Sequence, residues 1–359
     1  MTRGESDLTL PSLDDMGKIK ALDSQDHFGM VADLPGQLEE AYAAGASVIE
    51  EAGGEVGGIA VAGMGGSAIG SDLVANVFDV SLPSPLVTVR GYHLPHWTSS
   101  RSLVFTASYS GNTEESLSCL EDALEKGCRT VCLSSGGRMS DIAREQGLPL
   151  IHVPPGMQPR AAIGWLSVPI AACLESLGLI EKLTDDIGES VALLRELAGL
   201  YGPENPTEEN PAKQLARELY GSIPVVYGCE LTDVAARRWK CQINENAKNV
   251  AFANEFPELN HNEIVGWQNP EAALGSFRLV YLDDKGIHPQ NRKRMEITAG
   301  MLREYTGEAI RLQTSGDSRL ARIFSSICLG DYVSLYLATL GGMDPSPVTR
   351  IEDLKRRLA

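Results

Sequence analysis

Along the chain, short apolar runs rich in β-branched residues alternate with longer stretches whose apolar residues recur at helical spacing. Gly58–Ala62 reads as a buried strand and Ser67–Val80 as the helix that follows it. Leu86–Val89, Leu103–Thr106, Thr130–Leu133 and Leu150–Val153 read as further strands, with helices at about 113–126, at 138–146 and from Arg160 to Leu177. An N-terminal arm and a helix over Pro35–Ala52, with its proline at a tolerated first position, precede them. Tyr201–Pro211 holds three prolines among acids and turn formers and reads as a linker. The alternation then restarts: strand Ile223–Tyr227, helix 231–248, strand Phe277–Leu282, helix 289–305, strand Ala309–Leu312, helix 319–340, and a short charged helix over Arg350–Leu358. Strands alternating with helices predict an α/β protein with a doubly wound, mostly parallel sheet flanked by helices in each of two units, 1–200 and 201–359.

Composition sharpens this in two ways. The chain's 359 residues, 43% hydrophobic and 6% aromatic, suit two ordinary α/β domains. A net charge of −17 argues against nucleic acid or an anionic membrane as partner, and obliges any anionic substrate to find local donors and cations. The cysteines at 119, 128, 132, 173, 229, 241 and 328 are scattered, and Cys128 and Cys132 lack the spacing of a redox pair, so free thiols are expected. The opening residues lack the apolar core of a signal peptide. No membrane span is read either, since Ile163–Leu179 is interrupted by Pro169 and Glu175. The expectation is a soluble, cytoplasmic protein.

The candidate chemistry lies at strand ends. After Leu103–Phe105 come Ser108, Ser110 and Thr113, with Gly111 to turn the backbone and Asn112 or Thr113 to cap a helix opened by Glu114 and Glu115. Capping needs one hydroxyl; three favour an anion site at a helix N-terminus. Gly63-Met-Gly65-Gly66-Ser67 follows the first strand in the same way, its glycines letting backbone amides approach an anion. A dinucleotide turn would want an acid at the end of the next strand, where Arg90 stands instead and could suit only a 2′-phosphorylated cofactor. Pro154–Arg160 presents Arg160 at a helix start, where a cation opposes the helix dipole unless it serves an anionic ligand or pairs with a surface acid. Arg237–Lys248 holds Glu245 near a helix end, with a solvated pair to Lys240 or Lys248 as the plain alternative. His261 lies among polar residues in Pro257–Glu263, and no histidine spacing suggests a metal site.

Together these segments resemble the sugar isomerase (SIS) domain family and, more closely, the bifunctional phosphoglucose/phosphomannose isomerases of archaea and bacteria. Gly63–Asp72 and Ser108–Glu115 carry the first resemblance; Pro154–Arg160, Asn244–Lys248, Pro257–Gly266 and the tail around Lys355 carry the second. The resemblance implies two SIS subdomains, a homodimer, and no metal or organic cofactor. It implies that Gly65, Gly66, Ser67, Ser108, Ser110 and Thr113 hold the phosphate of a hexose 6-phosphate. Glu245 then matches the base that moves a proton between C1 and C2, and Arg160 the cation beside the cis-enediol. His261 matches the ring-opening residue, supplied to the neighbouring subunit's site, and Lys355 a C-terminal active-site lysine. Ser346 and Thr349 are candidates for control at C2.

The chemistry asks for such a set. Opening a cyclic sugar needs an acid–base group, and shuttling a proton beside a carbonyl needs one carboxylate and a cation for the developing oxyanion. The expected activity is metal-independent interconversion of glucose 6-phosphate and mannose 6-phosphate with fructose 6-phosphate. The alternative is a non-catalytic sugar-phosphate-binding SIS regulator, against which stand the retained base and cation and the missing DNA-binding appendage. An amidotransferase would need a glutaminase nucleophile, and Met1-Thr2-Arg3 offers none.

Overall fold

The computed structural model describes residues 11–48 and 56–358. The opening segment and the last predicted residues of the first long helix, 49–52, lie outside the described residues. Three helices lead in: α1 (Met16–Leu22), α2 (His27–Ala32) and α3 (Leu34–Ala46). A first alternating unit follows, with β1 (Gly58–Ala62), α4 (Gly65–Val77), β2 (Leu86–Val89), β3 (Ser102–Ala107), α5 (Glu114–Glu125), β4 (Arg129–Ser134), α6 (Gly137–Gln146) and β5 (Leu150–His152). Helices α7 (Ile163–Ser176), α8 (Thr184–Tyr201) and α9 (Pro211–Leu219) lead to the second unit. That unit holds β6 (Ile223–Cys229), α10 (Asp233–Asn246), β7 (Phe252–Phe256), the short α11 (Glu263–Gly266) and α12 (Glu271–Leu274), β8 (Phe277–Asp283), α13 (Pro289–Thr306), β9 (Ile310–Gln313), α14 (Arg319–Leu340) and α15 (Thr349–Leu358).

The sheets are ordered β2-β1-β3-β4-β5 and β7-β6-β8-β9, and every strand pair in them is parallel. β1 and β3 are buried along their whole length, which is why they read as unbroken apolar runs rather than alternating ones. In both sheets the chain lays its second strand on one side of the first and its third on the other. The helices that follow the first and third strands therefore diverge, leaving a crevice at the carboxyl ends of β1 and β3, and another at β6 and β8.

Several elements depart from the sequence expectation. β7 has no counterpart among the expected strands, because Phe-Ala-Asn-Glu-Phe mixes poor strand formers into a half-exposed edge. α8 is likewise unanticipated, although Ile187, Val191, Leu194 and Leu197 line one buried face of it. α9 begins inside the presumed linker, with Pro211 at its first position and the Asn210 side chain accepting from the amides of Ala212 and Lys213. Arg160 does not open a long helix; it sits in a 3-10 turn, Pro159–Ala161, and α7 starts at Ile163.

One large apolar cluster spans both units, with Ile59, Phe105 and Leu166 in it beside Val226, Trp239 and Phe324. α14 runs through it. Contrary to the sequence expectation, this one described helix is long and apolar enough to cross a membrane, but 94% of its apolar window is buried inside the protein. Its hydropathy is that of a core helix surrounded by protein. All seven cysteines are free, five of them buried.

Candidate active site

The first-sheet crevice is lined by hydroxyl residues and helix N-termini. Register pairs Ala62 with Thr106, so the Gly63–Ser67 and Ser108–Thr113 loops leave the sheet side by side. Gly65 adopts a left-handed φ of 52°, which suits glycine. Neither α4 nor α5 receives a side-chain cap from its N-cap residue, Met64 or Thr113, which leaves first-turn amides without that acceptor. Asn112, an expected cap, turns its Oδ1 to the amide of Arg138 at 3.1 Å instead. The Ser108 hydroxyl donates to Thr113 Oγ1 at 2.9 Å and accepts from the Thr113 amide at 3.4 Å. Ser110 Oγ accepts from the Asn112 amide at 3.3 Å. Ser67 lies in the first turn of α4, nearly buried.

The Arg160 turn closes one end of this crevice. A Cβ added at Gly66 would lie 2.8 Å from the Pro159 carbonyl oxygen and 3.5 Å from the Arg160 nitrogen, so α4 meets the turn backbone to backbone and only glycine allows the approach. Tyr109, between two of the hydroxyl residues, donates to the Pro154 carbonyl at 2.9 Å and accepts from the Met157 amide at 2.8 Å. The two loops are thereby tied together.

Arg160 is buried, 5% exposed, and its guanidinium is almost fully used. Nε donates to Asn246 Oδ1 (2.6 Å), Nη1 to Gln158 Oε1 (3.2 Å), and Nη2 to the carbonyls of Pro345 (2.7 Å) and Ser346 (2.8 Å). Nη1 also faces Glu245 Oε2 at 3.8 Å, and the Glu245 side chain keeps 33% of its surface open. Burial pulls the Arg160 guanidinium down from its ordinary range and the Glu245 charge pulls it back. The plain alternative for Glu245 does not hold, since it pairs with neither lysine among the described residues. Lys248 instead donates to the carbonyls of Asn246, Asp344 and Pro345, and burial, then the Arg160 charge, push it down to about 8.

Glu245 reaches Arg160 because α10 turns a polar face inward. Arg238, Gln242 and Asn246 share that face with Glu245 and are themselves 3%, 1% and 0% exposed. Sequence reasoning gave none of these three a role. Their i, i+4, i+8 spacing was visible, but a solvated helix face has the same spacing. His27 was missed as well. It is wholly buried with neither ring nitrogen partnered, and burial, followed by the charges of Arg160, Arg238 and Lys248, pushes it down to about 3.

Two expected residues stand apart. His261 ends a 3-10 turn, Glu258–His261, exposed and without a hydrogen bond or ion pair among the described residues. Lys355 is exposed on α15, a helix with no buried residue, where Arg356 and Arg357 rather than Lys355 pair with Asp353. No hydrogen bond or ion pair joins either of them to Arg160 or Glu245 within the described residues.

A hydroxyl-lined crevice at a sheet switch point, with a carboxylate and a buried guanidinium at its end, can be compared with known proteins. A family model described as the bacterial phospho-glucose isomerase C-terminal SIS domain matches residues 208–358. A bifunctional phosphoglucose/phosphomannose isomerase from Caldicellulosiruptor bescii is 42% identical over 334 residues, covering 92% of this chain and 98% of the relative. The chain belongs to that family. A relative of the same name from Thermoplasma acidophilum is 36% identical, over 85% of this chain and 91% of its own. A glucose-6-phosphate isomerase-like protein from Thermus thermophilus superposes with a TM-score of 0.65 at 19% identity, over 94% of this chain and 98% of that one, a likeness of fold. The two-sheet SIS architecture expected from the sequence is the one observed.

Proposed function

We propose that this chain is a metal-independent aldose–ketose isomerase that interconverts glucose 6-phosphate and mannose 6-phosphate with fructose 6-phosphate through a cis-enediol. The observation that carries the reading is the Arg160–Glu245 pair, 3.8 Å apart at the end of a hydroxyl-lined crevice. The phosphate sits at the open N-termini of α4 and α5, against Gly65, Gly66, Ser67, Ser108, Ser110 and Thr113. Anchored there, the other end of the sugar reaches Glu245, which takes a proton from C2 of the aldose and returns it to C1. Arg160 keeps its charge beside the base while its remaining donors are held by Asn246 and the Pro345–Ser346 carbonyls, so it meets the oxyanion without reorganising.

Glucose and mannose 6-phosphates differ only at C2 and share one enediol, so a single base serves both. His261, exposed and unengaged among the described residues, opens the ring in the site of a second copy in a homodimer, and Lys355 on α15 completes that site. The division at residues 200 and 201 separates the phosphate-holding unit from the one that carries the base. The protein works in the cytoplasm, with no nucleic acid or membrane partner.

The test is a coupled assay of purified protein with each aldose 6-phosphate in the presence of EDTA. Fructose 6-phosphate forms from both; no product from either would sink the isomerase reading, and loss of activity to EDTA would sink its metal independence. In the same assay Glu245→Gln lowers kcat by roughly 10² to 10⁴ or more, while phosphate still raises its melting temperature. Near-normal turnover would remove Glu245 as the base.

A further inference from the structure

The Arg160 side chain is held by its neighbours, but its backbone is also held, and from a different direction. Arg238 Nη2 donates to the Arg160 carbonyl at 2.8 Å and to Asp331 Oδ2 at 2.7 Å. The other oxygen of Asp331 accepts from Gln242 Nε2 at 2.9 Å. The Asp331 carbonyl accepts from the Ser334 hydroxyl at 2.7 Å, and that hydroxyl accepts from Asn246 Nδ2 at 2.9 Å, the amide whose oxygen receives Arg160 Nε. The side chains of Arg238 and Asp331 are 3% and 4% exposed.

One turn of α14 therefore meets the Arg160 turn at two points, through two residues of α10. Its charge matters as much as its shape. Arg238 lies close enough to Arg160 for its positive charge to oppose the Arg160 guanidinium, and Asp331 is its ion-pair partner. Water cannot screen that repulsion in a buried site, so an unneutralised Arg238 would displace the Arg160 turn.

We infer that Asp331 is a positioning residue for the reaction: held by Gln242, it fixes through Arg238 the turn from which Arg160 faces Glu245. The inference rests on Arg160 and Glu245 being the isomerase pair. It predicts a loss confined to the step in which charge develops, because Asp331 touches neither the hydroxyl loops nor the phosphate they hold.

Asp331→Asn in the full chain removes the charge and keeps the shape and one acceptor oxygen. Its kcat on glucose 6-phosphate falls about 100-fold, while KM changes by less than about threefold. Gln242→Met, which removes one support of Asp331, lowers kcat about tenfold at unchanged KM, and decides the matter if Asp331→Asn does not fold. Adding Asp331→Asn to Arg160→Lys lowers kcat little further, because the two act through one group.

A second readout needs no turnover. An aldonate phosphate one carbon shorter than the substrate carries a carboxylate that mimics the planar, charged enediolate. Its affinity falls about 100-fold in Asp331→Asn, and that of inorganic phosphate does not. A wild-type protein inert on both aldoses would defeat the isomerase reading, and this binding contrast would still be measurable. Turnover within about threefold of wild type, additive double-variant losses, or equal weakening of both ligands would overturn the role of Asp331.

Discussion

The two crevices share a strand order and differ in what fills them. In the first sheet, α4 and α5 begin without side-chain caps, and hydroxyl residues line the gap between them. In the second sheet the chain occupies its own gap. Glu230 leaves β6 with a φ of 55°, and its carboxylate accepts from the His288 amide at 3.0 Å and from Asn291 Nδ2 at 2.9 Å, at the start of α13. α13 follows β8 as α5 follows β3, so an internal carboxylate stands where the first crevice leaves the helix N-terminus without a side-chain cap. Thr232 Oγ1 bridges to the Leu282 carbonyl at 2.8 Å, and Asp283 and Asp284 pair with Arg292 and Arg322. Topology supplies a place for an anion, and side chains decide whether it stays open. With its own crevice closed, the second unit contributes α10, carrying Glu245, to the end of the first.

The largest effect expected from this contrast lies in the open crevice. Ser108→Ala with Thr113→Val raises KM for either aldose 6-phosphate about 100-fold or more, the loss of two hydroxyl bonds to a charged group, with a smaller change in kcat. An unchanged KM would show that the hydroxyl lining does not distinguish the crevices.

A middle-sized effect concerns Asp233, which begins α10 beside the closed crevice. Burial first, then Glu255, with Arg237 opposing and Glu230 adding, pushes its carboxyl up to about 8. The folded protein keeps this proton up to about pH 8 while the unfolded chain releases it near the ordinary 3.8. The contribution is therefore full below pH 3.8 and is lost as the pH rises toward 8. Asp233→Asn removes this slope, so its stability advantage over wild type grows as the pH rises toward 8. Melting temperatures of both proteins from pH 5 to 8.5 check it; parallel curves would mean that Asp233 ionises normally.

The smallest effect is at Glu230. Glu230→Ser costs about 1 kcal/mol, the scale of a lost cap, and leaves both isomerase activities intact. Inorganic phosphate then raises the melting temperature of the variant more than that of wild type. Equal shifts would mean that the second crevice is no copy of the first.

Much of this arrangement was legible beforehand. The strand ends at Ala62 and Thr106 were read from apolar runs followed by glycines and hydroxyls, signals complete within a dozen residues. Helix 319–340 was read with the bounds it has, though its surroundings were not foreseen. β7 escaped because an edge strand needs only one good neighbour, so its own residues carry a weak signal. Arg160 and Glu245 were each singled out, with surface pairs left open as alternatives for both. Neither pairing with the other nor the burial of Arg238 and Gln242 could be read from spacing.

By itself, the sequence determined the order of most strands and helices, the hydroxyl loops at two strand ends and the family to which the chain belongs. The first two rest on backbone preference and periodicity, which act over a few residues; the family rests on the resemblance of motifs spread along the chain. Only the tertiary structure decided that one polar face of α10 is buried, that Arg160 spends its donors on Asn246 and the Pro345–Ser346 carbonyls, and that Glu230 closes the second crevice. Each depends on which distant segment packs alongside. A polar side chain looks the same in sequence whether water or a buried partner answers its hydrogen bonds.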